Sequence, residues 1–189
     1  MLSTSSLPLP VGQSGTDGVY GQVLGQLFGD FSATNKNTYI YMWVQNNSGT
    51  TLAAGDAVVG EYSSGVFAGT VTTTTTANNP NIAGIVPNAF GSNTIANGAY
   101  FALLVNGPGR PKYATTAITQ TSVGSGALGT ATTAGYVQPL TGTATGTAAA
   151  TTADVAAYAN GYLGVAVDTA GVTAAGQKGY AVIRCFDKF

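Results

Sequence analysis

The 189-residue sequence predicts an all-β protein, a small β-barrel or β-sandwich with an extended N-terminal arm. Three observations predict it. Short β-branched and aromatic runs recur at even spacing from residue 38 onward, and turn residues stand between them. Only Ala149–Asn160 offers a helix of any length. A chain of this size makes one domain with extra segments and buries roughly 70% of its unfolded surface, so it needs neither disulfide nor metal to fold.

Residues 1–37 read as an arm and residues 38–189 as the body. In the arm, Ser3–Gly18 is Ser/Pro/Gly punctuation around isolated apolar residues. Leu7-Pro8-Leu9-Pro10 must be extended, because each proline pushes its predecessor out of the helical region. A segment of this kind has no core of its own and orders only against something else. It is followed by a four-residue repeat, Gly21-Gln-Val-Leu, Gly25-Gln-Leu-Phe, Gly29-Asp-Phe. Wound as a helix, the repeat puts Tyr20, Leu24 and Phe28 beside Val23, Leu27 and Phe31 on one broad face. Its three glycines would each cost about 1 kcal/mol, so an isolated helix would not form. Two readings stand: a short helix docked on a partner or on the body, or an irregular apolar loop. Either way Leu7, Leu9, Tyr20, Val23, Leu24, Leu27, Phe28 and Phe31 are the candidate anchors through which the arm grips a partner.

The body opens with Thr38–Gln45, apolar on both faces and therefore a buried strand. Further strands are expected at Ala57–Tyr62, Val66–Thr75, Ile82–Val86, Ala99–Val105, Tyr136–Leu140, Tyr162–Val167 and Tyr180–Phe186. Turn signals separate them: Asn47-Ser-Gly, Ala54-Gly-Asp, Ser64-Gly, Asn79-Pro, Asn97-Gly, Gly107-Pro-Gly and Ala175-Gly. The threonine-rich stretches 72–76 and 141–152 suit solvent-facing edges or loops.

Charge is scarce. Only 7% of residues are charged, against a usual value near 25%, and the net charge is −1. A free monomer with that surface has little protection against association, which points to a surface covered by partners. The six basic residues form no run, which argues against nucleic acid and against an anionic membrane surface. The longest apolar run, Tyr100–Val105, is far short of a membrane-spanning helix. The opening MLSTSSLPLPVG lacks the basic and apolar regions of a secretory signal, and Cys185 stands alone. The expectation is a protein made in a cytosol and not exported by the general route.

Catalytic chemistry is hard to find. The chain has no histidine, which removes the usual general base and the commonest transition-metal ligand. Cys185 lies within a strand pattern and has no histidine to activate it. Metal-ligand spacing is missing, and no cofactor is expected. Gly124-Ser-Gly126-Ala-Leu-Gly129 matches the dinucleotide fingerprint by letter, but poor helix formers follow it where a helix is required. Gly171–Lys178 is out of register with a phosphate-binding loop. Leu163–Asp168 followed by Thr-Ala-Gly approximates an aspartic-protease turn, with an alanine breaking the motif. Asp56 with Glu61, and Asp154 with Asp168, are the only carboxylate pairings to consider for glycosidase-like chemistry, and solvated turn residues explain them better.

Several body segments together carry a resemblance: Ala54-Gly-Asp-Ala-Val-Val, Ile82-Ala-Gly-Ile-Val, Asn97–Gly107, Gly124–Gly135, Tyr162–Val167 and Gly179-Tyr-Ala-Val-Ile. Over residues 50–186 the chain resembles the head decoration (cement) proteins of tailed bacteriophages. The resemblance implies a small β-barrel or sandwich on the capsid exterior, a homotrimer at local threefold axes, and a terminal arm that ties neighbouring major capsid protein subunits together. It also implies a virion protein made in the host cytoplasm. On this reading the chain is not an enzyme, and it stabilises by burying a standard interface of ~1,600 Å². A tail-fibre or adhesin-type binding module gripping a receptor through the threonine-rich loops is the alternative, with a minor coat protein beside it.

Overall fold

The run Asn37–Asn46 makes a ten-residue strand in which Met42, Trp43 and Val44 are buried in succession, so both faces are covered. This is strand β3 of the computed structural model, which describes residues 11–15, 24–32, 37–114, 127–139, 161–168, 172 and 174–185. Two strands precede it, β1 (Ser14–Gly15) and β2 (Leu27–Ser32). After it come β4 (Leu52–Ala53), β5 (Ala57–Ser63), β6 (Val66–Thr72) and β7 (Ile82–Ile85). A single-turn 3-10 helix, Asn88–Phe90, leads to β8 (Thr94–Ile95) and β9 (Tyr100–Gly109). The last four are β10 (Ala127–Thr130), β11 (Val137–Pro139), β12 (Gly164–Asp168) and β13 (Tyr180–Arg184).

Five strands close a barrel in the order β3-β6-β5-β7-β9 and back to β3. All the contacts round the ring are antiparallel except β3–β6, where Gln45 and Asn46 lie parallel to Thr70 and Val71. The sequence predicts an all-β barrel or sandwich, and the chain forms a closed five-stranded barrel with extra strands. Beyond the ring, the far end of β9 pairs with β13, and β12, β10 and β11 follow outward. The β5–β6 hairpin turns on Ser64 and Gly65, both at positive φ, the conformation a two-residue hairpin requires.

Three segments depart from the sequence-based expectations. Leu27–Ser32 is a strand, not a helix or a loop, and pairs residue for residue with Met42–Asn37. The sheet thus takes in residues assigned by sequence to the arm, because pairing with β3 satisfies a backbone that three glycines keep from winding into a helix. Gly107-Pro108-Gly109 does not turn; it continues β9, held extended by Ala181–Ile183 of β13. Ala127–Thr130, which carried no strand assignment, is fully buried in β10. The expected helix Ala149–Asn160 lies outside the described residues.

The core runs through Trp43, Phe90, Phe101, Leu103, Ile85 and Ile95, all at most 2% exposed, with Phe90 edge-on to Phe101 at 6.2 Å between ring centres. Two buried polar side chains contrast sharply. Asn46, fully buried, donates from Nδ2 to the carbonyls of Thr50, Ile95 and Ala96 and accepts the Ser48 N–H at Oδ1. It ties the end of β3 to the loop after β8. The Tyr113 hydroxyl, equally buried, has no hydrogen-bond partner.

Asn46→Ala should therefore lose about 2–3 kcal/mol, because it strands buried carbonyls. Tyr113→Phe should leave stability unchanged or raise it by about 1 kcal/mol. Urea unfolding followed by the fluorescence of Trp43, the single tryptophan, measures both. An Asn46→Ala protein as stable as the parent would contradict the tie.

Candidate functional site

Where β9 leaves the barrel for β13, the surface opens into a groove of about 450 Å³. One wall is β3, which presents Asn37, Tyr39 and Tyr41 at alternate positions and so on one face. The floor is Leu104, and the end of β9 adds Pro108 and Arg110. The opposite wall is Pro87–Ala89, and Tyr180 of β13 closes the end. The Tyr39 and Tyr41 rings are nearly parallel, 12° apart with centres 6.2 Å apart. Phe28 stacks on Tyr41 at 5.6 Å, and the Arg110 guanidinium lies 4.7 Å from the Tyr180 ring centre. Flat aromatic faces and two prolines, together with the donors of Asn37, Asn88, Arg110 and the tyrosine hydroxyls, suit an extended segment that offers apolar side chains and backbone carbonyls.

Burial, with help from the Asp30 carboxylate and from Tyr39, pushes the Tyr41 hydroxyl up from 10.0 to about 12. The folded state thus holds a proton that the unfolded chain releases near 10. The stability this contributes is complete below pH 10 and is lost as pH rises through about 12.

Beside the groove, three of the six basic residues meet. Lys112 Nζ contacts Asp56 Oδ1 at 2.5 Å, and Lys112 and Lys178 face each other across a β-bridge. Burial first, and the charges of Lys112 and Arg110 as well, hold the Lys178 ammonium below its ordinary range, with Asp56 opposing. Asp56 is itself held by the turn it closes. Its Oδ2 accepts the Ala53 N–H at 2.7 Å, and its backbone N–H donates to the Ala53 carbonyl. Neighbouring backbone bonds tie this turn to Val86, Lys112 and Gly135. The Ala54-Gly-Asp signal is thus a structural knot. Sequence spacing puts Arg110 beside Lys112 but could not reveal that Lys178, remote in the chain, joins them.

The arm anchors fare unevenly. Leu7, Leu9, Tyr20 and Val23 lie outside the described residues, as does the Phe31 side chain. Leu24 and Phe28 are half-buried against the body's own core, Leu24 lying over Gly69. Leu27 remains 39% exposed on β2. The chemical near-motifs resolve simply. Asp56 has Lys112, and Glu61 accepts from Asn47 Nδ2 at 2.8 Å, so each carboxylate has its own partner. Cys185 is buried, its thiol directed at the Leu163 carbonyl 3.5 Å away. A strand, β10, begins inside the glycine fingerprint where a nucleotide site requires a helix. Among the described residues no group of three His, Cys, Asp or Glu side chains can hold a metal.

Tyr41→Phe should reduce the stability loss between pH 10 and 12, read as the difference in melting temperature across that range. The part due to Tyr113 and Tyr62 should remain, because burial also pushes their hydroxyls up. A slope equal to the parent's would show that Tyr41 is not among the groups responsible. Comparison with known protein families, with curated proteins and with solved structures found no match to this chain.

Proposed function

We propose that this chain is a structural virion protein that binds the outside of a tailed-phage capsid and stabilises it by bridging coat subunits, acting as a homotrimer. The observation that carries the reading is the scarcity of charge, 7% of residues, on a small β-barrel. Such a surface resists association poorly and is best matched to a life covered by neighbours. Exposed apolar side chains support it: Val66 at 69%, Val167 at 58%, and Leu27 and Tyr62 at 39% each. Leu27 lies on β2, the last strand of the sheet, and Leu24–Gly25 just before it packs on Phe67 and Gly69 of β6. Phe67 in turn meets Tyr62 at 5.8 Å, so apolar groups collect along this flank. The interface would be dispersive and hydrophobic, with little contribution from ion pairs.

Co-sedimentation of the full chain with purified capsids tests the reading. Saturable binding should survive about 1 M salt with less than roughly twofold weakening, because screening acts on charges that are few here. Leu27→Asp with Val66→Asp should release the protein from particles while leaving its melting temperature nearly unchanged, both side chains being exposed. Steep loss of binding with salt, or no binding at all, would refute it. A shorter truncation than the whole arm is needed for any deletion, because residues 27–32 belong to the sheet.

A further inference from the structure

A described stretch of the N-terminal chain passes close to the aromatic groove. Strand β1 runs antiparallel to the start of β9, Gly15 opposite Tyr100 and Ser14 opposite Phe101. Stepping from Gly15 toward the N-terminus therefore moves along β9 in the direction of Leu104 and Pro108, the residues at the groove. Two residues before Ser14, Gly12 sits directly against the Ala89 carbonyl, with no room for a β-carbon. Ala89 is itself part of the groove wall. Val11 is half-buried against the core. The chain is thus fixed at the groove's rim, with Leu7-Pro8-Leu9-Pro10 next in sequence.

We propose that the groove is the seat of the Leu7–Pro10 segment of the same chain. Alternating prolines hold that segment in extended or polyproline geometry, which loses little entropy on docking. Aromatic-lined grooves recognise this geometry, the rings packing against proline rings and leucine side chains. The segment carries no charge, and the Arg110 charge is already placed against Tyr180. Pro10 lies two residues from the fixed Gly12, a reach of about 7 Å. A tether so short gives an effective concentration on the order of millimolar, which a second copy does not match in dilute solution. The inference is independent of the capsid reading. It assigns Leu7 and Leu9 to the chain's own body and leaves the exposed flank at Leu27 and Val66 for an outside partner.

A labelled synthetic peptide of residues 3–12 is the probe, titrated by fluorescence polarisation against two full-length proteins, the parent and one carrying L7S, P8A, L9S and P10A. The substituted protein, its groove vacated, should bind one peptide. The parent should bind at least about tenfold more weakly at every protein concentration. Adding Tyr39→Ala or Tyr180→Ala to the substituted protein should weaken binding about tenfold or more. Tyr180 is 51% exposed, so its replacement serves if the Tyr39 variant fails to fold. Equal binding by the two proteins would show that the parent groove is open, and binding by neither would show that it seats no such segment. Protection that vanishes on dilution, with a dimer seen by light scattering, would assign the segment to a second copy. Any of the three overturns the proposal, while capsid binding is judged separately by sedimentation.

Discussion

Strand β9 is the constraint on which the rest of the molecule depends. Its Phe101–Val105 stretch is buried from end to end, so no water can satisfy the backbone groups there. They are satisfied by neighbours on both edges: β3 along one side, and β1, β7 and β13 in turn along the other. The strand therefore belongs to the barrel over its first half and to the β13-β12-β10-β11 extension over its second. The groove lies where it passes from one to the other, since two sheets diverging from a shared strand leave a space that side chains must line. Tyrosine fills that role because its ring covers apolar surface and its hydroxyl can still take a polar partner, although at Tyr41 even the hydroxyl is partly withdrawn from water.

Among the described residues, opposite charges meet at one place. The Asp56–Lys112 pair is the only ion pair among the described residues, and its side chains are only 11% and 20% exposed. Breaking such a pair leaves a charge without its partner in poorly hydrated surroundings, which costs more than a surface pair contributes. Its position explains why a chain that avoids charge keeps this one. The turn it closes joins β4–β5 to the segment after β9 and to the β10–β11 hairpin, and so fixes the barrel to its extension. Lys178, drawn close to Lys112, adds an unfavourable term that the rest of the packing offsets.

Much of the fold was legible because its signals are local. The buried strand at Thr38–Gln45, the Ser64-Gly65 hairpin and the strand at Ile82 are all written in β-branched and aromatic residues bounded by turn formers. What could not be read was set by partners distant in sequence. Leu27–Ser32 has a helical spacing of apolar residues, yet its neighbour β3 offers a complete set of backbone hydrogen bonds, and that outweighs the spacing. Gly107-Pro108-Gly109 has the composition of a turn, and only the approach of β13 keeps it straight. The groove and the basic cluster share this character. Tyr39, Arg110 and Tyr180 have no common motif, and the topology alone brings them together.

The placement of β9 late in the barrel order has a consequence for synthesis. Tyr39–Val44 leaves the ribosome well before the residues that will cover it, since Tyr41 awaits Leu104 and Trp43 awaits Ala102. At about 5–20 residues per second, that interval is on the order of seconds. During it β3 has only β2 and β6 for company, and the ring cannot close. Folding of this kind, built on contacts between remote residues, is slow even for a released chain. The nascent protein thus presents an aromatic, uncharged strand to its surroundings for far longer than a local hairpin would, and Tyr39–Val44 is the stretch where a chaperone would have most to protect.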